Sequence, residues 1–309
     1  MGVVRVLKFI PKTKVIYSFN PDLKPVETAN IQDIIVFETM DALGEQLKSE
    51  TDKLENVDFS KVNPATGPVK INGVCKGDAL AVKILNIKLP ETGVMVVAPD
   101  AGALPEMVKE SKTRIVKIRN GIIHFPGNIR MEAKPMIGVI GVATEKEEIP
   151  TGTPWKHGGN LDTKEVTIGN TIYLPVSQDG GLLALGDVHA LQSDGELCVS
   201  AVEISSKVMV EVDVKKGMAP PWPIIETSDS TIIVASGKTV DEAVHEATKW
   251  AVKALEKGLN IPWEDAYMLG SLIINLEISQ VVDPNKTVKA RIPKRYIPTE
   301  AILQALSTK

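Results

Sequence analysis

The first two-thirds of the chain is cut into short apolar runs by four Asx-Gly dipeptides: Asn72-Gly73, Asn120-Gly121, Asp179-Gly180 and Asp194-Gly195. Each tolerates positive φ, as a type I′ hairpin turn requires. Among the runs, residues 81–89 set Val82, Ile84 and Ile87 against lysines and asparagine, the period-two pattern of a half-buried strand. Residues 165–174, 197–204 and 208–214 are further strand candidates, rich in β-branched side chains. Many short strands with frequent turn signals predict a sandwich or a barrel. A helix is expected at 41–51 and a loop at 61–67.

The pattern changes after Met218-Ala-Pro-Pro-Trp-Pro223. Prolines remove backbone donors, so this stretch reads as a linker. Beyond it, 231–236 reads as a strand, and Thr239 with Glu242 forms a capping box. Val240, Ala243, Ala247, Ala251 and Ala254 recur three and four apart, giving a helix one apolar face, with Gly258 as the C-cap signal. Pro262 opens a second helix with Glu264 and Asp265 in its first turn. Residues 274–282 alternate as a strand, and 298–306 reads as a terminal helix. An α+β end therefore follows a β-rich body. The approximate division is 1–130, 131–224 and 225–309, with discontinuous domains allowed.

Composition narrows the partners. The 309 residues are 43% hydrophobic and 24% charged, an ordinary globular balance. The net charge of −4 leaves no basic footprint for nucleic acid. The longest apolar run, 136–143, is far short of the roughly 20 residues needed to span a bilayer. Residues 1–15 contain no continuous apolar h-region, and Val6 breaks the myristoylation pattern that Met-Gly would begin. Cys75 and Cys198 stand about 120 residues apart without a CxxC pattern, and read as reduced thiols. The expectation is a cytoplasmic protein with no membrane partner, and a homodimer on the base rate for oligomers.

There are only four histidines, and two fall inside dense polar motifs. In Gly186-Asp187-Val188-His189-Ala190-Leu191-Gln192-Ser193-Asp194-Gly195-Glu196, Asp187 and His189 share one face of a strand. If Asp194-Gly195 reverses the chain, Glu196 and Cys198 line one face of the next strand, and a hairpin gathers Asp187, His189 and Glu196. Carboxylates with an imidazole suit zinc, or calcium where oxygen ligands dominate. The second motif, His157-Gly158-Gly159-Asn160-Leu161-Asp162, offers nitrogen, amide oxygen and carboxylate in one glycine-rich loop. Asp100 sits in a turn within Pro99-Asp100-Ala101-Gly102-Ala103-Leu104. His124 precedes Phe125-Pro126-Gly127 and stands as a possible pocket residue, while His245 reads as a solvated or packed helix residue. Taken singly, each acid or histidine also fits an ordinary surface or packing role. Cys198, with Glu196 as base, gives a thiol-nucleophile alternative.

On these motifs, HGGNLD at 157–162, GDVHALQSDGE at 186–196 and PDAGAL at 99–104, the chain resembles the acetamidase/formamidase family, in its short prokaryotic branch. Asp265-Ala266-Tyr267 and Ile278-Ser279-Gln280-Val281-Val282-Asp283 add support in the same order. Ser193 stands where family members commonly carry glycine. The resemblance implies a mostly β fold with a sandwich, a barrel-like middle and an α+β end. It implies hydrolysis of short aliphatic amides to carboxylate and ammonia, with the small amide as the only partner molecule. A divalent metal, zinc or calcium, is also implied, carried onto His157, Asn160, Asp162, Asp187, His189 and Glu196, with Asp100 added. Glu196, His189 and Asp187 are then the candidates for acid–base work, and Gly158 and Gly159, with His124, for substrate contact. The competing reading is a metal-stabilised sandwich that binds ligand without catalysis; closed coordination would favour it.

Overall fold

A computed structural model describes residues 6–307; Met1 and Gly2 of the N-terminal reading lie outside them. β-branched alternation builds most of what is seen. Along Ser206–Lys215, Val208, Val210 and Val212 are fully buried while Lys207 and Asp213 face solvent. That strand sits inside a nine-stranded sheet. Its order is Leu7–Ile10, Ile34–Thr39, Ser206–Lys215, Ala79–Ile87, Thr171–Pro175, Ile224–Glu226, Ser230–Gly237, Lys286–Pro293 and Asn275–Gln280. The first pair is parallel and the rest are antiparallel.

An eleven-stranded sheet packs against it. Its main path runs Ile129–Glu132, Ile122–Phe125, Lys112–Arg119, Thr92–Val97, Glu203–Ile204, Leu183–His189, Met136–Gly141 and Gly158–Asn160, with Ala65–Asn72 branching from Leu183–His189. One core is shared between the sheets: Val82, Ile84 and Val210 from the first meet Ile137, Ile140 and Leu185 from the second. Burying each such side chain contributes about 1.5–3 kcal/mol. The middle region is thus an open, branched sheet rather than a closed barrel. At the C-terminal end, the Val240–Leu259 helix lays Ala243, Ala247, Ala251 and Ala254 on Ser230–Gly237 and Lys286–Pro293. Helices Trp263–Ile273 and Thr299–Leu306 complete the α+β end.

Several expectations change at the level of elements. Residues 41–51 form turns, not a helix. The Asp41 carboxylate accepts from the amides of Leu43 and Glu45, and Gly44 and Glu45 both take positive φ, so helical hydrogen bonding cannot propagate. Within 61–67, a 3₁₀ turn at Phe59–Lys61 gives way to a strand from Ala65. In 165–174 only Thr171–Pro175 is strand, because the Asn170 side chain bonds back to Glu165 O and Gly169 turns the chain. In 197–204 only Glu203–Ile204 is strand; Glu196 and Val199 take positive φ and keep the preceding residues in a loop. Cys198 and Glu196 therefore do not alternate along a strand.

Of the four Asx-Gly pairs, only Asn120-Gly121 makes a tight turn between paired strands, Arg119 facing Ile122; Asp194-Gly195 sits within the long 190–202 loop that joins the paired strands Leu183–His189 and Glu203–Ile204. The C-cap is Asn260 at φ 53°, not Gly258; the glycine is instead needed where Ile297 Cδ1 would lie 2.4 Å from a Cβ. The 218–223 stretch is irregular as expected, yet it buries Trp222 and joins strands of one sheet, since Ile224–Glu226 pairs with Thr171–Tyr173.

Candidate active site

The strand Leu183–His189 is buried along its whole length and carries Asp187 and His189 into the interior two residues apart. Glu203 is the registered partner of His189 on the neighbouring strand. Asp162 follows Gly158–Asn160, the strand on the other side of Met136–Gly141. Between them Gly138 leaves the space the acids occupy: a Cβ there would stand 2.5 Å from both Asp162 Oδ1 and Asp187 Oδ2. Glu196 arrives from the 190–202 loop. Asp283 arrives just after Asn275–Gln280, where Gln280 Oε1 accepts from the amides of Val282 and Asp283.

The 190–202 loop is clamped to the C-terminal sheet. Gly195 N donates to Ser279 O at 2.9 Å, and Val281 N to Gly195 O at 3.2 Å. Lys289, fully buried, holds Asp194 at 2.7 Å together with Glu165 and Glu277, while Arg291 pairs with the same two glutamates.

Gln192 fixes the state of His189. Its Nε2 donates to Asp162 O at 2.7 Å, so its Oε1 faces His189 Nδ1 at 2.8 Å, and Nδ1 carries the proton. His189 Nε2 is left facing the acids, 3.0 Å from Asp187 Oδ1, 3.0 Å from Glu203 Oε2 and 3.8 Å from Asp162 Oδ1. A histidine whose far nitrogen is held by an amide oxygen is oriented as a metal ligand is.

Electrostatics follow from burial. Asp162, Asp187, Glu196 and Glu203 are each less than a tenth exposed, around one imidazole. Desolvation, then the Asp187 charge, pushes Asp162 up to about 7. Desolvation, opposed by His189 but reinforced by Asp187, pushes Glu203 up to about 8. Burial and then Asp162 raise Glu196 well above the carboxylate range; Asp283 is raised by burial and by Asp162 and Asp187. Burial works against ionisation of Asp187, yet the adjacent His189 holds it below its ordinary value. His189 is itself raised by Glu203 and Asp187 against its own desolvation.

Acceptor atoms are left over. Among the described residues, Asn160 Oδ1, Asp162 Oδ1, Glu196 Oε2 and Asp283 Oδ2 are buried with no hydrogen-bond partner, and Glu203 Oε2 has no aligned one. All five residues line one cavity of about 160 Å³. Two overlapping sets, Asp162–His189–Glu196 and Asp187–His189–Glu203, bring ligand atoms within 4.8 Å of one another. Unpartnered buried acceptors, a shared imidazole and a Cβ-free wall are what a divalent cation needs, and they fit it.

The predicted residues divide accordingly. Asp162, Asp187, His189, Glu196 and Asn160 come together. His157 does not join them: it packs on Phe19, which neighbours Gly141 and Val139 on the face of Met136–Gly141 opposite Gly138. Burial there drives its pKa down to about 3, and neither ring nitrogen has a partner. Asp100 is exposed. His124 is half-buried on Ile122–Phe125 between Lys117 and Arg130, away from the cavity lining. Gly158 and Gly159 also stay out of the lining and pair with Gly141 and Ile140; a Cβ would strike Ile140 O at 2.1 Å and Thr153 O at 2.4 Å respectively. Their glycines serve close packing. The Cys198 thiol donates to Ser200 O at 3.3 Å and does not line the cavity, which removes the support for a thiol nucleophile.

Sequence reading missed Glu203, Asp283, Gln192 and Gly138. An acid inside the apolar run Ala201-Val202-Glu203-Ile204 was the available signal for Glu203, and an acid closing 278–283 was the signal for Asp283.

Buried acids gathered about one histidine in a small cavity are groups that hydrolysis of a small molecule can use. The chain belongs to the acetamidase/formamidase family, whose model matches residues 11–151 and 92–297. The chain is similar to an acetamidase of known structure from Bacillus halodurans, at 38% identity and a TM-score of 0.91 over 97% of this chain and 100% of that one. It is likewise similar to an acetamidase from Yersinia enterocolitica, at 30% identity and a TM-score of 0.89 over 95% and 94%. A formamidase from Methylophilus methylotrophus is 26% identical, over 89% of this chain and 87% of the relative. The chain is therefore an amidohydrolase of linear amides, and the non-catalytic binding alternative falls away. Among the described residues, no helix is long and apolar enough to cross a membrane.

Proposed function

We propose that the cavity hydrolyses short aliphatic amides, formamide and acetamide among them, to carboxylate and ammonia with the help of a divalent metal, zinc or calcium. The observation that carries this is the set of unpartnered buried acceptor oxygens converging beside His189 Nε2. So many buried carboxylates around one imidazole need compensating positive charge, since unpaired buried charge is costly. Asp162, Asp187, His189 and Glu203 are the residues that would hold the cation, with Glu196 beside them. Bound there, a divalent metal supplies Lewis-acid polarisation of the amide carbonyl and lowers the pKa of water.

The chain's own groups do the rest. Glu196, whose carboxyl burial and then the Asp162 charge hold above its ordinary value, is the acid–base group that delivers a proton to the departing nitrogen. Gln192 holds the His189 ring against rotation, so that Nε2 keeps its aim. Cys75 and Cys198 are free thiols, in keeping with a cytoplasmic home. A homodimer is proposed through the outer face of Trp263–Ile273 and the sheet-edge strand Asn275–Gln280, where Met268, Leu272 and Leu276 are exposed.

The test is ammonia release from formamide and acetamide by protein of measured metal content, before and after chelation, beside Glu196→Gln. The expected result is bound zinc or calcium, activity lost on chelation and restored by the metal, and turnover in Glu196→Gln reduced about 10²–10⁴-fold with unchanged circular dichroism. Full activity in metal-free protein would sink the metal, and unchanged turnover in the variant would sink the role of Glu196.

A further inference from the structure

The cavity is lined by two unlike groups. The acids, Asn160 and His189 are one; Leu43, Leu54, Phe59, Val62, Val96 and Val199 are the other, and all of these but Phe59 pack in one apolar cluster. Four of those six side chains come from a single irregular segment, residues 41–63, whose first part, 41–51, was expected to be a helix. Building on the amide-hydrolysis reading, we propose that this apolar wall is an acyl pocket, and that it makes amides with an alkyl chain, propionamide and butyramide, better substrates than formamide.

The wall is held in place, so it can discriminate by shape. Asn63 N donates to Ala42 O at 2.6 Å and closes the segment on itself. The Gln46 side chain bridges to both backbone groups of Asp58. Outside contacts pin the middle: Thr113 Oγ1 to Asp52 O, Ser111 to Glu55 and Arg114 to Glu50. Underneath, Leu43, Leu47 and Val57 pack on Val94 and Val96, with Leu54, Val62 and Val199 around them.

The wall is mostly apolar, with the Asn63 amide as a polar group on the same segment. Ser200 lines the cavity, but its hydroxyl is spent on the Val96 backbone, accepting from N at 2.9 Å and donating to O at 3.1 Å. It offers nothing to a polar acyl group. Phe59 stands 60% exposed at the rim, a large ring left in water while it lines the cavity. An amide whose carbonyl sits at the acids would direct its acyl chain at this wall. Formamide has no chain to direct, and leaves the wall unused. Each methylene held in an apolar pocket is worth about 10-fold or more in discrimination.

The experiment measures kcat/KM for formamide, acetamide, propionamide and butyramide in the metal-loaded wild type, Val62→Phe and Phe59→Ala. The expected wild-type order rises with chain length, with butyramide above formamide by about 1,000-fold, roughly 10-fold for each added carbon. Filling the pocket with Val62→Phe lowers butyramide more than formamide, and Phe59→Ala narrows the span by removing one wall. An equal response to all four amides, or a preference for formamide, overturns the acyl pocket and leaves amide hydrolysis standing. Silence on every amide overturns both. A span unchanged in both variants removes the 41–63 segment from specificity.

Discussion

Gly138 has no side chain, and two carboxylates lie where its Cβ would be. Adding one carbon forces Asp162 and Asp187 apart, since neither neighbour is a flexible tip free to retreat from a buried strand. Gly138→Ala is therefore expected to lower kcat/KM about 100-fold, the scale of a misplacement near 1 Å. It should also weaken metal retention under dialysis, with the far-UV spectrum unchanged; wild-type kinetics in this variant would show that the two acids tolerate separation. This residue was invisible in the sequence, where it is one glycine in the apolar run 136–143. Asp187, His189, Asp162 and Glu196 were legible because rare polar types crowd two motifs. His157 misled for the same reason: sharing a motif with Asp162 placed it near in sequence, but the strand puts it on the other face.

Elements with a strong period were read correctly, and elements governed by one side chain were not. The Val240–Leu259 helix shows its apolar face at spacings of three and four, and Thr239 caps it by accepting from Glu242 N. Nothing in the spacing of 41–51 reveals that Asp41 will take two backbone amides for itself. Glu277, on Asn275–Gln280, is an element-scale device too. The Arg291 fork beside it, and Lys289 behind, hold its carboxyl down to about 2 against some desolvation. A depressed folded pKa means stabilisation present above the ordinary value of 4.5 and lost as pH falls toward 2. Thermal melts of wild type and Glu277→Gln should therefore differ most above pH 4.5 and converge near pH 2. A constant gap across that window would mean that Glu277 acts through packing rather than charge.

At the scale of the molecule, the β-rich body and the α+β end were legible, but the way strands are shared was not. The nine-stranded sheet takes strands from 1–130, 131–224 and 225–309 alike, and its core is continuous with that of the eleven-stranded sheet. Such pairings are non-local, and no local pattern encodes which strand lies beside which. Shared sheets predict one cooperative unfolding transition, with calorimetric and van't Hoff enthalpies equal. Two resolved transitions in a scanning calorimeter would instead mark independent folding units. The same sharing sets a timetable for synthesis. The loop bearing Glu196 rests on Ser279 and Val281, and its Asp194 rests on Lys289, all of which leave the ribosome after every other piece of the centre except Asp283. A nascent chain halted before residue 275 carries Asp162, Asp187, His189, Glu196 and Glu203 and is expected to be inert. Activity is expected to appear only once Asn275–Gln280 and Lys286–Pro293 have joined the sheet and hold that loop.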